Sequence, residues 1–217
     1  MIFKNVIKPS LILAAVVFAS SFALSHVHKI TAPAIEKQKA GKEKEALFII
    51  LPGFAIGDEK TDVRDDRVFR YWVGEKKNED DTVSEAYAFI TASPGYSGDI
   101  RSIVGISGEG DIIGIYIIEQ TETPGLGTRA VESSDDGPPW FQRQFAGLNV
   151  ERKISIEKLG DWTPEIAQTL SDANAITAIT GATITCRAVI KSIEEGYARL
   201  SLVLGKKKEK EKESETE

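Results

Sequence analysis

The stretch IRSIVGISGEGDIIGIYII, residues 100–118, decides how this chain folds. Two runs rich in Ile and Val, 100–106 and 112–118, are too short for ordinary helices. They flank Gly108-Glu-Gly-Asp111, which has the composition of a hairpin turn. In the second run Ile113, Ile115 and Ile117 alternate with Ile112, Tyr116 and Ile118, so both faces are apolar. That pattern predicts a central strand covered on both sides. Upstream, 69–73 and 86–92 read as further strands. Downstream, 140–145 reads as a short helix, 154–159 as a strand and 163–171 as a helix capped by Thr163 with Pro164 at its first position. From Arg187 onward Val189, Ile190, Ile193, Tyr197 and Leu200 fall on one helical face. The expected fold class is α+β: a twisted antiparallel sheet with packed helices, preceded by one N-terminal transmembrane helix.

The charges are distributed unevenly around this core. Residues 1–29 hold three Lys and no acid, and 206–217 hold five Lys and five Glu. The middle, 30–205, therefore keeps 19 basic against 28 acidic residues, and so acidic a domain has no electrostatic footprint for nucleic acid. A single Cys excludes an internal disulfide and, with two His, a Cys/His zinc cluster. His26 and His28 read as interfacial residues rather than metal ligands. Asp80-Asp81 and Asp135-Asp136 read as solvated loop charges.

Residues 11–27 carry no formal charge with His26 neutral, and Lys4, Lys8 and Lys29 flank them. This run is about the minimum that spans a bilayer as helix. As a retained anchor it leaves Lys4 and Lys8 in the cytoplasm and exports the rest of the chain. As a signal peptide it is cut near residues 20–23. Residues 30–46 are mixed in charge and helix-prone, a solvated stalk interrupted at Gly41. The tail, 206–217, has nothing to bury and reads as disordered or a frayed helix extension.

The chemistry concentrates in Thr180-Gly-Ala-Thr-Ile-Thr185, just before the last helix. Helix N-termini expose unpaired N–H groups and stabilise phosphate. Gly181 permits close approach or a positive-φ turn, and Ala182 leaves the site unobstructed. No Walker-type Gly-Lys-Ser/Thr ending follows. Taken alone, Thr183 or Thr185 can simply cap the helix. Glu122-Thr-Pro-Gly-Leu-Gly127 reads as a tight loop with Gly125 at a positive-φ position.

Taken together, Ile179-TGATIT-CRAV, the Gly95-Tyr-Ser-Gly-Asp-Ile100 turn, the Glu122–Gly127 loop and Trp140-FQRQF-Ala-Gly147 resemble the FMN-binding domain. That domain is shared by the Rnf complex G subunit and the Na⁺-translocating NADH:quinone reductase C subunit. The Glu122–Gly127 loop resembles the Rnf-type protein most, and the resemblance covers nearly the whole chain except the tail. It implies covalent FMN, esterified through its phosphate to Thr183, with Thr180, Gly181, Ala182 and Thr185 around the attachment point. It also implies that Glu122, Thr123 and Leu126 lie against the isoalloxazine ring. Trp140 either stacks near the flavin or fills core. One residue departs from the family pattern: Thr177 stands where the family usually has an Asp, which is associated with recognition by the flavin transferase. Cys186, near the helix start, is either an activated thiol or an inert core residue.

The division this implies is 1–29 anchor, 30–82 stalk and N-terminal extension, 83–205 FMN-binding domain and 206–217 charged tail. The resemblance further implies a redox subunit of a membrane complex that oxidises ferredoxin with NAD⁺ and moves Na⁺ or H⁺. Its partners would be the other membrane subunits and a flavin transferase using FAD and Mg²⁺. The location would be the bacterial inner membrane, single-pass, with the N-terminus cytoplasmic and the FMN domain extracytoplasmic. Two alternatives stay open. One is a flavoprotein like the quinone-reductase protein, serving that enzyme or another flavinylated respiratory chain. The other is a cofactor-free anchored adaptor.

Overall fold

The computed structural model describes all residues except 1, 65–66, 79–80, 134–138, 161 and 215–217; for residues 2–6 and 206–214 it describes the backbone. Asp80, Asp135, Asp136 and the end of the tail lie outside the described residues. The chain divides into two units, Met1–Lys44 and Glu45–Glu217, and helix α1 (Ile2–Ile50) belongs to both.

In the first unit Leu11, Ile12, Leu13, Val16, Phe18 and Phe22 are each more than half exposed, so the apolar run is not buried against the described residues. The helix is long and apolar enough to cross a membrane. Phe18, Phe22 and His26 stack at successive 6.4 Å steps along one side. The helix does not break at Gly41, where the sequence suggests an interruption, and it contains Pro9 and Pro33.

The second unit is built on an antiparallel sheet. Its strands are β1 (Ala55–Ile56), β2 (Lys60–Arg64), β3 (Arg67–Lys77), β4 (Val83–Pro94), β5 (Asp99–Ser107) and β6 (Ile112–Glu119). The order is β1-β3-β4-β5-β6, with β2 also paired to β3. The β5–β6 hairpin turns at Gly110, which has φ +84°. Helix α2 (Trp140–Arg143), strand β7 (Ser155–Glu157), helix α3 (Pro164–Asp172) and strand β8 (Ala175–Thr177) come next, with β7 and β8 paired in parallel. Helix α4 (Thr183–Ser214) is the last element and runs on into the charged tail.

Strand β6 is an edge strand, not the central one its apolar pattern suggests. It is apolar on both faces because both faces of the sheet are covered. Ile112, Ile115 and Ile117 join the core formed with α2 and α4. Ile113, Tyr116 and Ile118 pack against a second cluster that holds Ala46, Leu47, Ile50 and Leu51. Strict alternation fails because Gly105 pairs with Gly114 and Ile106 with Ile112, which makes Ile113 an extra, bulged residue. The exposed edge is closed by side chains and loops instead of a strand. The Ile117 amide donates to Gln142 Oε1 at 3.2 Å, and Ile112 exchanges bonds of 2.7 and 2.8 Å with Leu148 and Gly147.

Two glycines bring the 45–51 segment down onto the sheet. A Cβ at Gly105 would lie 3.1 Å from Leu51 Cδ2 and 3.2 Å from the Ile50 carbonyl. Its cross-strand partner Gly114 lies beneath Ile50 as well. Each buried Ile or Leu here contributes about 1.5–3 kcal/mol, so this segment is integral to the domain's core. On the other face a Cβ at Gly196 would overlap the Phe89 ring, and Thr91 donates to the Ser192 carbonyl at 2.6 Å, fixing α4 on β4.

Candidate functional site

The turn between β8 and α4 is shaped by local chemistry. Gly181 has φ +80°, and a Cβ there would lie 2.9 Å from Leu126 Cδ2, so both conformation and space call for glycine. The Ala182 amide bonds the Ile179 carbonyl at 3.0 Å, and the Ala182 carbonyl accepts the first helical bond, from Cys186, at 3.1 Å. The amides of Thr183, Ile184 and Thr185 therefore occupy the helix positions that lack a carbonyl one turn back. With the helix dipole they favour an anion at this end of α4.

Against this turn packs the loop after β6. Gly125 adopts φ +73°, and its amide bonds Thr128 Oγ1 at 2.9 Å. Glu122 is 5% exposed and its carboxylate is fully used. Oε1 accepts the Tyr96 and Ser97 amides at 2.9 and 3.0 Å, and Oε2 accepts the Thr185 hydroxyl. Glycines frame it: a Cβ at Gly95 would lie 2.5 Å from Oε1, and one at Gly127 would lie 2.6 Å from Oε2. The Gly95–Gly98 turn, the 122–127 loop and the start of α4 are thus joined through one side chain.

These pieces enclose two cavities that meet at the turn. The larger, ≈540 Å³, is lined by Glu122, Thr123, Leu126, Gly181, Ala182, Thr183 and Thr185, together with Tyr96, Gly127 and Ile184. The smaller, ≈270 Å³, is lined by Thr180, Gly181 and Thr183 with Lys158, Gly160, Ala178 and Ile179. All eight residues singled out from sequence line one cavity or the other, and Gly181 and Thr183 line both. Tyr96 and Ile184 were not assigned to the site by sequence. They are 70% and 51% exposed and, with Leu126, give the larger cleft an apolar rim.

The three hydroxyls are not equivalent. Thr185 is buried and its hydroxyl donates a hydrogen bond to Glu122. Thr180 is exposed and lines the smaller cavity, whereas Thr183 is half-buried where the two meet. A flavin fits this arrangement: hydroxyls and helix amides for its phosphate, and an apolar-rimmed cleft for a planar ring.

Cys186 is fully buried, its Sγ accepts the Ile179 amide at 3.3 Å, and burial raises its pKa, so the activated-thiol reading does not hold. Trp140 packs edge-on against Phe141 at 6.0 Å with the Arg129 guanidinium 5.5 Å over its ring, and it does not line the cleft. The glutamines of the 140–147 stretch carry roles that their sequence context does not reveal. Gln142 bonds the Ile117 amide and the Ala130 carbonyl. Gln144 bonds both the amide and the carbonyl of Thr177. Thr177 is buried and donates to the Gly160 carbonyl at 2.6 Å while accepting the Leu159 amide at 3.2 Å.

A family model described as the FMN-binding domain matches residues 95–198. The chain is 31% identical over 169 residues to the G subunit of the ion-translocating oxidoreductase complex of Haemophilus influenzae (strain ATCC 51907 / DSM 11121 / KW20 / Rd), covering 74% of this chain and 73% of that protein. It is 29% identical over 203 residues to the G subunit of the Na⁺-translocating ferredoxin:NAD⁺ oxidoreductase complex of Acetobacterium woodii, covering 88% of this chain and 89% of that one. A looser likeness, at TM-score 0.43 and 21% identity over 59% of this chain and 61% of the other, is to the crystal structure of the C subunit of the Na⁺-translocating NADH-quinone reductase from Parabacteroides distasonis.

Proposed function

The chain belongs to the family of G subunits of ion-translocating oxidoreductase complexes, and from that premise we propose that it carries FMN covalently, esterified through the phosphate to Thr183 Oγ1. The observation that carries the reading is the position of Thr183. It is the hydroxyl residue that lines both cavities, where a phosphate at the start of α4 continues into a ring-sized cleft. Thr185 is a poorer acceptor because it is 1% exposed and does not line the smaller cavity.

Within this reading a flavin transferase supplies the FMN phosphoryl group from FAD. The Thr183 O–P bond forms, the phosphoanhydride bond breaks, AMP leaves and the hydroxyl proton is lost. Bound FMN passes electrons singly or in pairs, which lets the protein join one-electron and two-electron carriers. The chain's own residues do the rest. Gly181 and the first amides of α4 seat the phosphate, Leu126, Tyr96 and Ile184 border the ring, and Thr123 offers it a hydroxyl. The α1 segment anchors the protein in the cytoplasmic membrane with the flavin domain outside, as the flanking lysines suggest. There it works with the other subunits of a ferredoxin:NAD⁺ oxidoreductase that moves Na⁺ or H⁺.

Coexpression with a flavin transferase tests this reading. The full chain should give a yellow fluorescent band on a denaturing gel and an intact mass raised by one FMN phosphoryl group. Thr183→Ala should abolish both and Thr180→Ala should abolish neither. A wild-type chain that stays dark, beside a control protein that is flavinylated in the same cells, sinks the proposal.

A further inference from the structure

The two cavities differ in charge, and this gives the site a direction. Among the described residues, the charged one lining the larger cleft is Glu122, and the one lining the smaller cavity is Lys158. An anion in the larger cleft would share it with an acidic residue; one in the smaller cavity would share it with a basic one. The two charges therefore favour an anion in the smaller cavity over one in the larger.

The backbone on either side of Lys158 is held in place. Glu157 ends β7, paired to β8 beside Thr177, and its carbonyl accepts the Ala178 amide at 2.9 Å. Leu159 and Gly160 are both bonded to the Thr177 hydroxyl. Lys158 is thus presented to the Thr180–Thr183 turn by a loop pinned before and after it. A local cation matters here, because residues 30–205 as a whole carry 28 acids against 19 bases and give no general attraction to a phosphate.

Resting on the flavin reading above, we infer that Lys158 is the phosphate-recognition residue of this protein. The phosphate lies on the Lys158 side of the turn and the isoalloxazine on the Tyr96, Leu126 and Ile184 side. Thr177, by pinning the 159–160 loop, is the positioning residue for Lys158. The ligand class selected is therefore a phosphorylated flavin over its unphosphorylated form, and the selection operates before the ester is made.

The test uses the full chain purified in detergent from cells lacking a transferase, titrated with FMN and with riboflavin and followed by quenching of flavin fluorescence. Wild type should bind FMN about fivefold more tightly than riboflavin, as one solvent-accessible ion pair allows. That preference should shrink in about 0.5 M salt, where the Debye length falls to a few ångströms. Lys158→Gln should lose the preference with riboflavin affinity unchanged, and Lys158→Arg should keep it. Equal binding of both ligands by wild type, a preference that survives in Lys158→Gln, or a parallel loss of both ligands in that variant would overturn the assignment while leaving the flavin reading standing. Binding of neither ligand by wild type would remove the ring cleft, and the flavin reading and the Lys158 assignment would fall together.

Discussion

Glu122 and Thr185 are joined by a buried hydrogen bond in which the Thr185 hydroxyl donates to the carboxylate. The bond spans 63 residues of sequence and ties the loop after β6 to the first turn of α4. Because Glu122 also accepts the Tyr96 and Ser97 amides, removing its carboxylate strands three donors. Glu122→Ala should therefore lower the stability of the unflavinylated chain by about 3 kcal/mol. Glu122→Gln keeps an acceptor for the two amides and should cost less than half as much. Urea midpoints in detergent, followed by tryptophan fluorescence, check the order.

The same bond predicts the behaviour of Thr185. Thr185→Val keeps the shape of the side chain but leaves Glu122 Oε2 without its donor, at a cost of about 1–3 kcal/mol. The site of attachment should not change. Intact mass after coexpression with the transferase should show one FMN per chain, and peptide mapping should place it on Thr183. A chain that loses its flavin while remaining folded would show that Thr185 takes part in attachment directly.

Legible and hidden features of the sequence divide along the range of the interactions. The Thr180–Thr185 segment could be read because a positive-φ glycine and a helix start are local events, and Gly181 is found at φ +80°. The strands β3 to β6 could be read because each buries a continuous apolar run. Their order could not: β6 looks central, yet its neighbour on one side is the Trp140–Gly147 stretch, whose Gln142 reaches the Ile117 amide across 25 residues. Gln144 likewise reaches Thr177 across 33 residues. Strand β2, Lys60–Arg64, has an exposed polar face and no apolar run, so nothing in its composition announced it. The roles of Glu122 and Lys158 depend on which loops meet, and that is a property of the assembled sheet.

Gly127 should not tolerate a side chain. A Cβ there would lie 2.6 Å from Glu122 Cβ and Oε2 and 2.8 Å from Thr185 Oγ1, all held in place by the clamp. Gly127→Ala should destabilise the chain by about 1–3 kcal/mol through overpacking. Gly125→Ala meets nothing within 4 Å and carries only the strain of its φ of +73°, about 1 kcal/mol. Thermal unfolding of the two variants side by side separates steric from conformational cost.

Cys186 contributes to the alkaline pH dependence. Burial raises its pKa, so the native thiol stays protonated where an unfolded one, with a pKa of about 8.5, ionises. Its contribution to stability is fully present below the unfolded pKa. It is lost as pH rises through the interval between the unfolded and folded values. A thiol reagent should therefore label Cys186 slowly in native protein at about pH 8 and rapidly in urea, and Cys186→Ser should flatten the alkaline loss of stability. Fast native labelling would contradict the burial.

Thr177 gives the sharpest contrast between fold and maturation. Its hydroxyl does two things at once in a fully buried position, donating to the Gly160 carbonyl and accepting the Leu159 amide. An ionised Asp can accept the amide but cannot donate to the carbonyl, so Thr177→Asp sets two acceptors against each other and buries a charge. That change should cost about 2–4 kcal/mol and loosen the loop that carries Lys158. Thr177→Ser retains both bonds and should stay within about 1 kcal/mol of wild type. If a carboxylate at this position aids the transferase, as the family pattern implies, the Asp variant should gain flavin faster while unfolding at lower urea. Measuring the initial rate of the mass increase and the urea midpoint on the same preparation shows whether the two move in opposite directions. An Asp variant more stable than wild type would contradict the hydrogen-bonding role assigned to Thr177.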